Sequence, residues 1–138
     1  MQLKHVLPLL AGTALGKYCY ESGQKWIDVG TEPVITEAIG RVCSPKKLAG
    51  EYPKHETIRI CENVAGHSFY VSIRHIDSEG GLDPWLLSQG TCRDLLKKVY
   101  QECPEKGGSM ILTAGTGEDN PWVNADVRVD PENSCCDC

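Results

Sequence analysis

Thr91-Cys92-Arg93-Asp94-Leu95-Leu96-Lys97-Lys98-Val99-Tyr100-Gln101-Glu102-Cys103 is the stretch that decides the fold. Cys92, Leu95, Leu96, Val99, Tyr100 and Cys103 recur at i, i+3, i+4, i+7, i+8 and i+11, the spacing of a single helical stripe. Thr91 stands where such a helix opens, with Asp94 as a capping partner. Pro104 and the Gly107-Gly108 pair end it. Two cysteines on the buried stripe place the helix where covalent bonds can fasten it to a sheet.

Downstream, 110–113 is a candidate edge strand and Gly115-Thr116-Gly117 a turn. Residues 122–129 then alternate. Val123, Ala125, Val127 and Val129 share one face; Trp122, Asn124, Asp126 and Arg128 share the other. Period two over this length predicts a half-buried strand, closed by Asp130-Pro131. Upstream, 56–63 and 68–77 are rich in β-branched and aromatic residues and read as a hairpin turning at Ala65-Gly66. Farther upstream, Val34, Ile35, Ala38, Ile39 and Val42 form a second helical stripe. Thr31 is its expected N-cap, Pro33 lies in its first turn and Ser44-Pro45 stops it. Residues 25–29 read as a short strand, and 46–55 as a loop. The order predicts one α+β domain: an antiparallel sheet of about four or five strands with two helices on one face.

Residues 1–16 carry the pattern of a secretory signal. Lys4 and His5 precede an uncharged apolar run from Val6 to Leu15, with the small residues Ala14 and Gly16 at its end. Cleavage is expected after Gly16, with Ala14 as an alternative, leaving 17–138 as the mature domain. The apolar run is shorter than the roughly 20 residues that span a bilayer. The chain holds 8 cysteines: Cys19, Cys43, Cys61, Cys92, Cys103, Cys135, Cys136 and Cys138. Behind a signal peptide an even set reads as a disulfide framework, whose pairing the spacing leaves open. The tail cysteines are expected to fold back and clamp the N-terminus near Cys19. With 19 acidic against 14 basic residues the net charge is −5, so nothing draws the chain toward nucleic acid phosphates. The expected state is a secreted extracellular monomer.

Each candidate for chemistry has a plainer rival. Cys135, Cys136 and Cys138 could ligate a metal with His55, His67 or His75, but the paired Cys-x-x-Cys halves of a zinc site are lacking and an oxidising compartment favours disulfides. No metal or cofactor is expected. His67, His75, Asp77, Glu62 and Arg74 gather on the hairpin and could serve a small secreted ribonuclease or glycosidase. Strand alternation separates His75 from Arg74, which speaks for a non-enzymatic protein. Trp85, in Leu82-Asp83-Pro84-Trp85-Leu86-Leu87, is a binding candidate in a loop, its rival reading being a cap on the core. Trp122 falls on the polar face of its strand, where an exposed ring would mark a recognition surface. Lys46 and Lys47, with Lys54 and His55, form the main basic patch of an acidic chain and could face an anionic membrane or a channel mouth.

Cys92-Arg93-Asp94-Leu95-Leu96 leading to Cys103, then Gly107-Gly108, a strand from Trp122 and the Asp130-Pro131-Glu132-Asn133 exit occur in an order that resembles the smut-type killer toxins. The small cysteine-rich effectors secreted by filamentous fungi share that layout. The resemblance covers 56–134 and implies an α/β sandwich that acts by binding. The partner it implies is a host extracellular protein, a cell-wall glycan or a membrane channel. Glu132 and the Cys135, Cys136, Cys138 tail depart from the pattern. Channel activity is therefore not carried over, and Lys46 and Lys47 match the toxins' basic residues in character only.

Overall fold

The structure is a computed structural model that describes residues 15–79, 81–115 and 122–138. Most of the expected signal sequence lies outside the described residues. The first element, strand β1 (Leu15–Cys19), spans the expected cut. Cleavage after Gly16 would take the first two residues of β1; cleavage after Ala14 would leave it whole.

The predicted α+β architecture is present. Five antiparallel strands form one sheet in the order β1-β6-β7-β4-β3, comprising β3 (Thr57–Val64), β4 (His67–Glu79), β6 (Gly108–Gly115) and β7 (Trp122–Glu132) besides β1. Helices α2 (Glu32–Val42) and α3 (Gln89–Glu102) pack on one face of this sheet and on each other. The strand alternation explains why one face is covered. Phe69, Val71, Ile73 and His75 of β4 are buried beside Val123, Ala125, Val127 and Val129 of β7. Ile35, Ala38, Ile39, Val42, Leu96 and Val99 close over them from the helices. Their intervening neighbours point the other way, onto a face that no described helix covers.

The hairpin turns where expected. Ala65 and Gly66 both hold positive φ, 48° and 89°, the pair of angles that matches the twist of the flanking strands. Gly107, at φ +80°, leaves α3 for β6 with the Val129 carbonyl and the Pro131 ring where a Cβ would sit.

Several local expectations are corrected. Residues 25–29 form no strand; Trp26–Val29 is a single helical turn, α1, with Gly30 N–H donating to the Trp26 carbonyl at 3.0 Å. Four residues are too few to show a period, and burial of Trp26 against Phe69 and Tyr100 fixes the turn. Helix α3 opens two residues earlier than Thr91. Ser88 is its N-cap, and its hydroxyl accepts from Thr91 N–H at 3.1 Å. Strand β6 is interior rather than an edge, because β1 pairs outside it. The loops read at 46–55 and around Trp85 contribute β2 (Gly50–Tyr52) and β5 (Trp85–Leu87), which pair as a two-stranded ribbon.

All eight cysteines are joined as disulfides, in the pairs Cys19–Cys103, Cys43–Cys92, Cys61–Cys136 and Cys135–Cys138. The expected clamp of the tail onto Cys19 is not formed. Cys19 instead ties β1 to the end of α3, and the tail is bonded to Cys61 in β3. Cys43–Cys92 joins helix to helix rather than helix to sheet. No described helix is long and apolar enough to cross a membrane.

Candidate functional site

The uncovered sheet face is ordered in cross-strand rows. Arg59 of β3 stands opposite Ser72 of β4, Ser72 opposite Arg128 of β7, Arg128 opposite Ser109 of β6, and Ser109 opposite Tyr18 of β1. In the next row Cys61 faces Tyr70, and Tyr70 faces Asp130. Tyr20 joins this row just past β1, its N–H donating to the Gly107 carbonyl at 2.9 Å. The small Ser72 side chain between long neighbours leaves a hollow. Tyr20, Arg59, Tyr70, Ser72, Arg128 and Asp130 line a cleft of about 210 Å³ there. A second hollow of about 250 Å³ continues from it past Tyr18, Tyr20 and Asp130 to Gln24 and Glu132.

The groups in the cleft are held. The Arg59 guanidinium lies over the Tyr70 ring, 4.6 Å from its centroid. Arg128 donates to Asp126 through Nε at 3.4 Å and Nη2 at 3.1 Å, which raises its already high pKa. Burial pushes the Asp130 carboxyl up to about 6; the Glu132 charge and a hydrogen bond with Glu132 add to this, and Arg59 opposes it. Burial also raises the Tyr20 phenol, with Asp130 the next cause. The surface therefore offers two planar cations, phenol and hydroxyl groups, and a carboxyl that is partly neutral near pH 6.

The residues singled out from sequence lie elsewhere. Trp85 is 2% exposed, its ring packed against Tyr52 and His75. A partner cannot reach it, so its place is in the core. The apolar flanks of its strand gave no sign of which residue would turn outward; that residue is Leu86, 67% exposed. Trp122 does sit on the uncovered face, half-buried, but about 20 Å along β7 from Arg128. Lys46 is exposed. Lys47 is not a free surface cation: its Nζ donates to Glu62 Oε1 at 2.7 Å, while Arg41 Nε holds Oε2 at 2.8 Å. Glu62 is buried between them, on the helix side of the sheet.

The hairpin groups weighed for hydrolysis do not converge. His75 is fully buried and donates from Nδ1 to the Tyr52 carbonyl at 2.9 Å. Glu62 is taken by its two cations. Arg74 points to the opposite face, and Asp77 lies near Lys54 at 4.0 Å. The three tail sulfurs are all consumed in S–S bonds. The missed residues were partly visible, since Tyr70, Ser72 and Arg128 fall on polar strand faces. Missing was the register that sets Arg59 and Arg128 on either side of Ser72.

Fold and site together define a disulfide-crosslinked α+β sandwich with one sheet face left open as an arginine- and tyrosine-bearing surface. The chain matches no protein-family model and no curated protein sequence.

Proposed function

We propose that this chain is a secreted, non-enzymatic effector- or toxin-like protein that acts by binding, with the open sheet face as its binding surface. The observation that carries the reading is the cleft over Ser72, flanked by Arg59 and Arg128 and walled by Tyr20 and Tyr70. Arginine and tyrosine are the side chains that most often anchor protein interfaces. The strands beneath them are hydrogen-bonded along their length, with β3 crosslinked to the tail and β1 to the end of α3, so little conformational freedom is lost on binding. A signal-like N-terminus and four disulfides support an extracellular life. The partner is then a host extracellular protein, a cell-wall glycan or a membrane channel.

The test is capture of partners by the oxidised mature chain from plant extracellular fluid and from membranes of competing fungi. Ser72→Tyr fills the cleft and abolishes capture. Gln101→Tyr places the same ring on the solvent side of α3 and leaves capture intact. Capture retained by Ser72→Tyr would overturn the assignment of the face. RNA or glycan cleavage that His67→Ala removes would replace binding with the hydrolase reading.

A further inference from the structure

The cleft over Ser72 has a geometry and charge that select among ligands. Strands stand about 4.8 Å apart, so Arg59 and Arg128, two strands apart in one row, start roughly 10 Å from each other at the backbone. Ser72 between them is too short to fill the gap. The Arg59 guanidinium carbon lies over the Tyr70 ring, and no described carboxylate stands within ion-pair distance of it. Arg128 spends Nε and Nη2 on Asp126 and keeps Nη1. Two guanidinium groups thus border one small hollow, an arrangement that suits a planar, bidentate acceptor.

We propose that the Arg59–Ser72–Arg128 row seats a single carboxylate, carried by a sugar acid or by the C-terminus of a peptide, with the rest of that ligand lying along Tyr20 toward Gln24. This rests on the open face being the binding face and names what that face takes. Of the two arginines, Arg59 alone lacks a described carboxylate at ion-pair distance, so one ligand charge is the most this cleft can pair. Asp126 offsets one of the two arginines, and Asp130 and Glu132 stand at the far wall. A phosphate dianion would meet those carboxylates with too little positive charge to balance it. The second hollow carries hydroxyl, amide and carboxyl groups around Tyr18 and Tyr20, partners for a polar ring or a peptide backbone.

The groups facing Asp130 are Tyr20, Arg59, Tyr70 and Arg128 in the cleft and Tyr18, Glu21 and Glu132 in the second hollow, so its charge is felt throughout both. Protonating Asp130 removes a repulsive charge from the seat. A ligand carboxyl, at about 3.5 in a free peptide terminus, stays ionised at pH 5. Binding of the carboxylate is therefore stronger at pH 5.0 than at pH 7.5.

The experiment is titration of the oxidised mature protein, followed by NMR of arginine side chains and backbone amides. The probes are glucuronate, N-acetylglycine, glucose and inorganic phosphate. The expected result is saturable shifts at Arg59, Ser72 and Arg128 with glucuronate or N-acetylglycine, the tighter of the two naming the carrier. Affinity falls about five- to tenfold in Arg59→Gln and in Arg128→Gln, and rises roughly threefold from pH 7.5 to 5.0. Unchanged shifts elsewhere in the spectrum show that each variant is folded. Equal response to glucose, tighter binding of phosphate, or carboxylate binding that survives both substitutions overturns the proposal. If Ser72→Tyr loses the captured partner while both glutamine variants keep it, the carboxylate seat falls and the open-face reading stands. If Ser72→Tyr keeps the partner, the open-face reading is the one that fails.

Discussion

Cys61, near the middle of edge strand β3, is bonded to Cys136 at the end of the chain. Cys61 points to the open face, one row from Arg59 and directly opposite Tyr70. The tail is laid against this end of the sheet by two further bonds. Cys136 N–H donates to Asn63 Oδ1 at 2.7 Å, and Ser68 Oγ donates to the Ser134 carbonyl at 2.6 Å. The crosslink therefore pins the tail beside edge strand β3 and fixes one border of the candidate site.

Replacing Cys61 and Cys136 by serine opens a loop with a sequence separation of 75 residues. The expected loss is about 2–4 kcal/mol of unfolding free energy, read from urea midpoints of the otherwise oxidised protein. Removing Cys135–Cys138, whose separation is 3, costs less because so short a loop restrains the unfolded chain little. The reverse order of effects would contradict the role given to Cys61.

Asp130 gives the protein a particular pH response. Its carboxyl is raised from 3.8 to about 6 in the folded state, chiefly by burial. The folded chain then holds this proton more tightly than the unfolded chain, so its contribution to stability falls as pH rises from about 4 to above 6. Asp130→Asn removes that slope. Because the group is only half-buried, the gain at pH 7.5 is about 1 kcal/mol after screening by solvent. Denaturant curves at pH 4.5, 6.0 and 7.5 check it; an unchanged slope in the variant would count against a raised Asp130.

Glu62 joins α2, the segment after it and β3 through Arg41 and Lys47. Glu62→Gln should cost about 1–2 kcal/mol, moderated because both cations keep access to water. Lys46→Met, at an exposed position, should stay within about 0.5 kcal/mol of the parent. Thermal or urea unfolding of the two variants separates a structural lysine partner from a surface one.

The tryptophans divide the same way. Trp85→Ala should lose about 3–5 kcal/mol by emptying a fully packed site, with binding affected only through loss of folded protein. Trp122→Ala, on a half-buried surface position, should leave the midpoint much closer to that of the parent. Urea midpoints measured beside partner capture distinguish a stability effect from a contact.

What was legible in the sequence follows from length and period. Helix α3 repeats its stripe over three turns, the 122–129 alternation runs through four buried positions, and Ala65-Gly66 marks a tight hairpin; each carries its own signal. Strands β2 and β5 have three residues each, and α1 has four. Tertiary burial of Trp26, Tyr52 and Trp85 decides these, and no local pattern can encode it. Strand β1 was hidden because its start overlaps the apolar run of the signal sequence. At the site, alternation assigns Ser72 and Arg128 to a polar face, but only the pairing of β3, β4 and β7 brings Arg59 to the same row. Trp85 misled for a related reason: between Leu82 and Leu87, nothing local tells a core ring from an exposed one.

On the proposed reading, the open sheet face is where this protein meets its partner. Hydroxyl-radical footprinting of the oxidised protein, alone and with its captured partner, tests it most directly. The expected result is protection concentrated at Tyr18, Tyr20, Tyr70 and Arg128, with Val34 and Gln101 on the helices unchanged. Protection confined to α2 and α3, with those tyrosines as reactive as in the free protein, would contradict it.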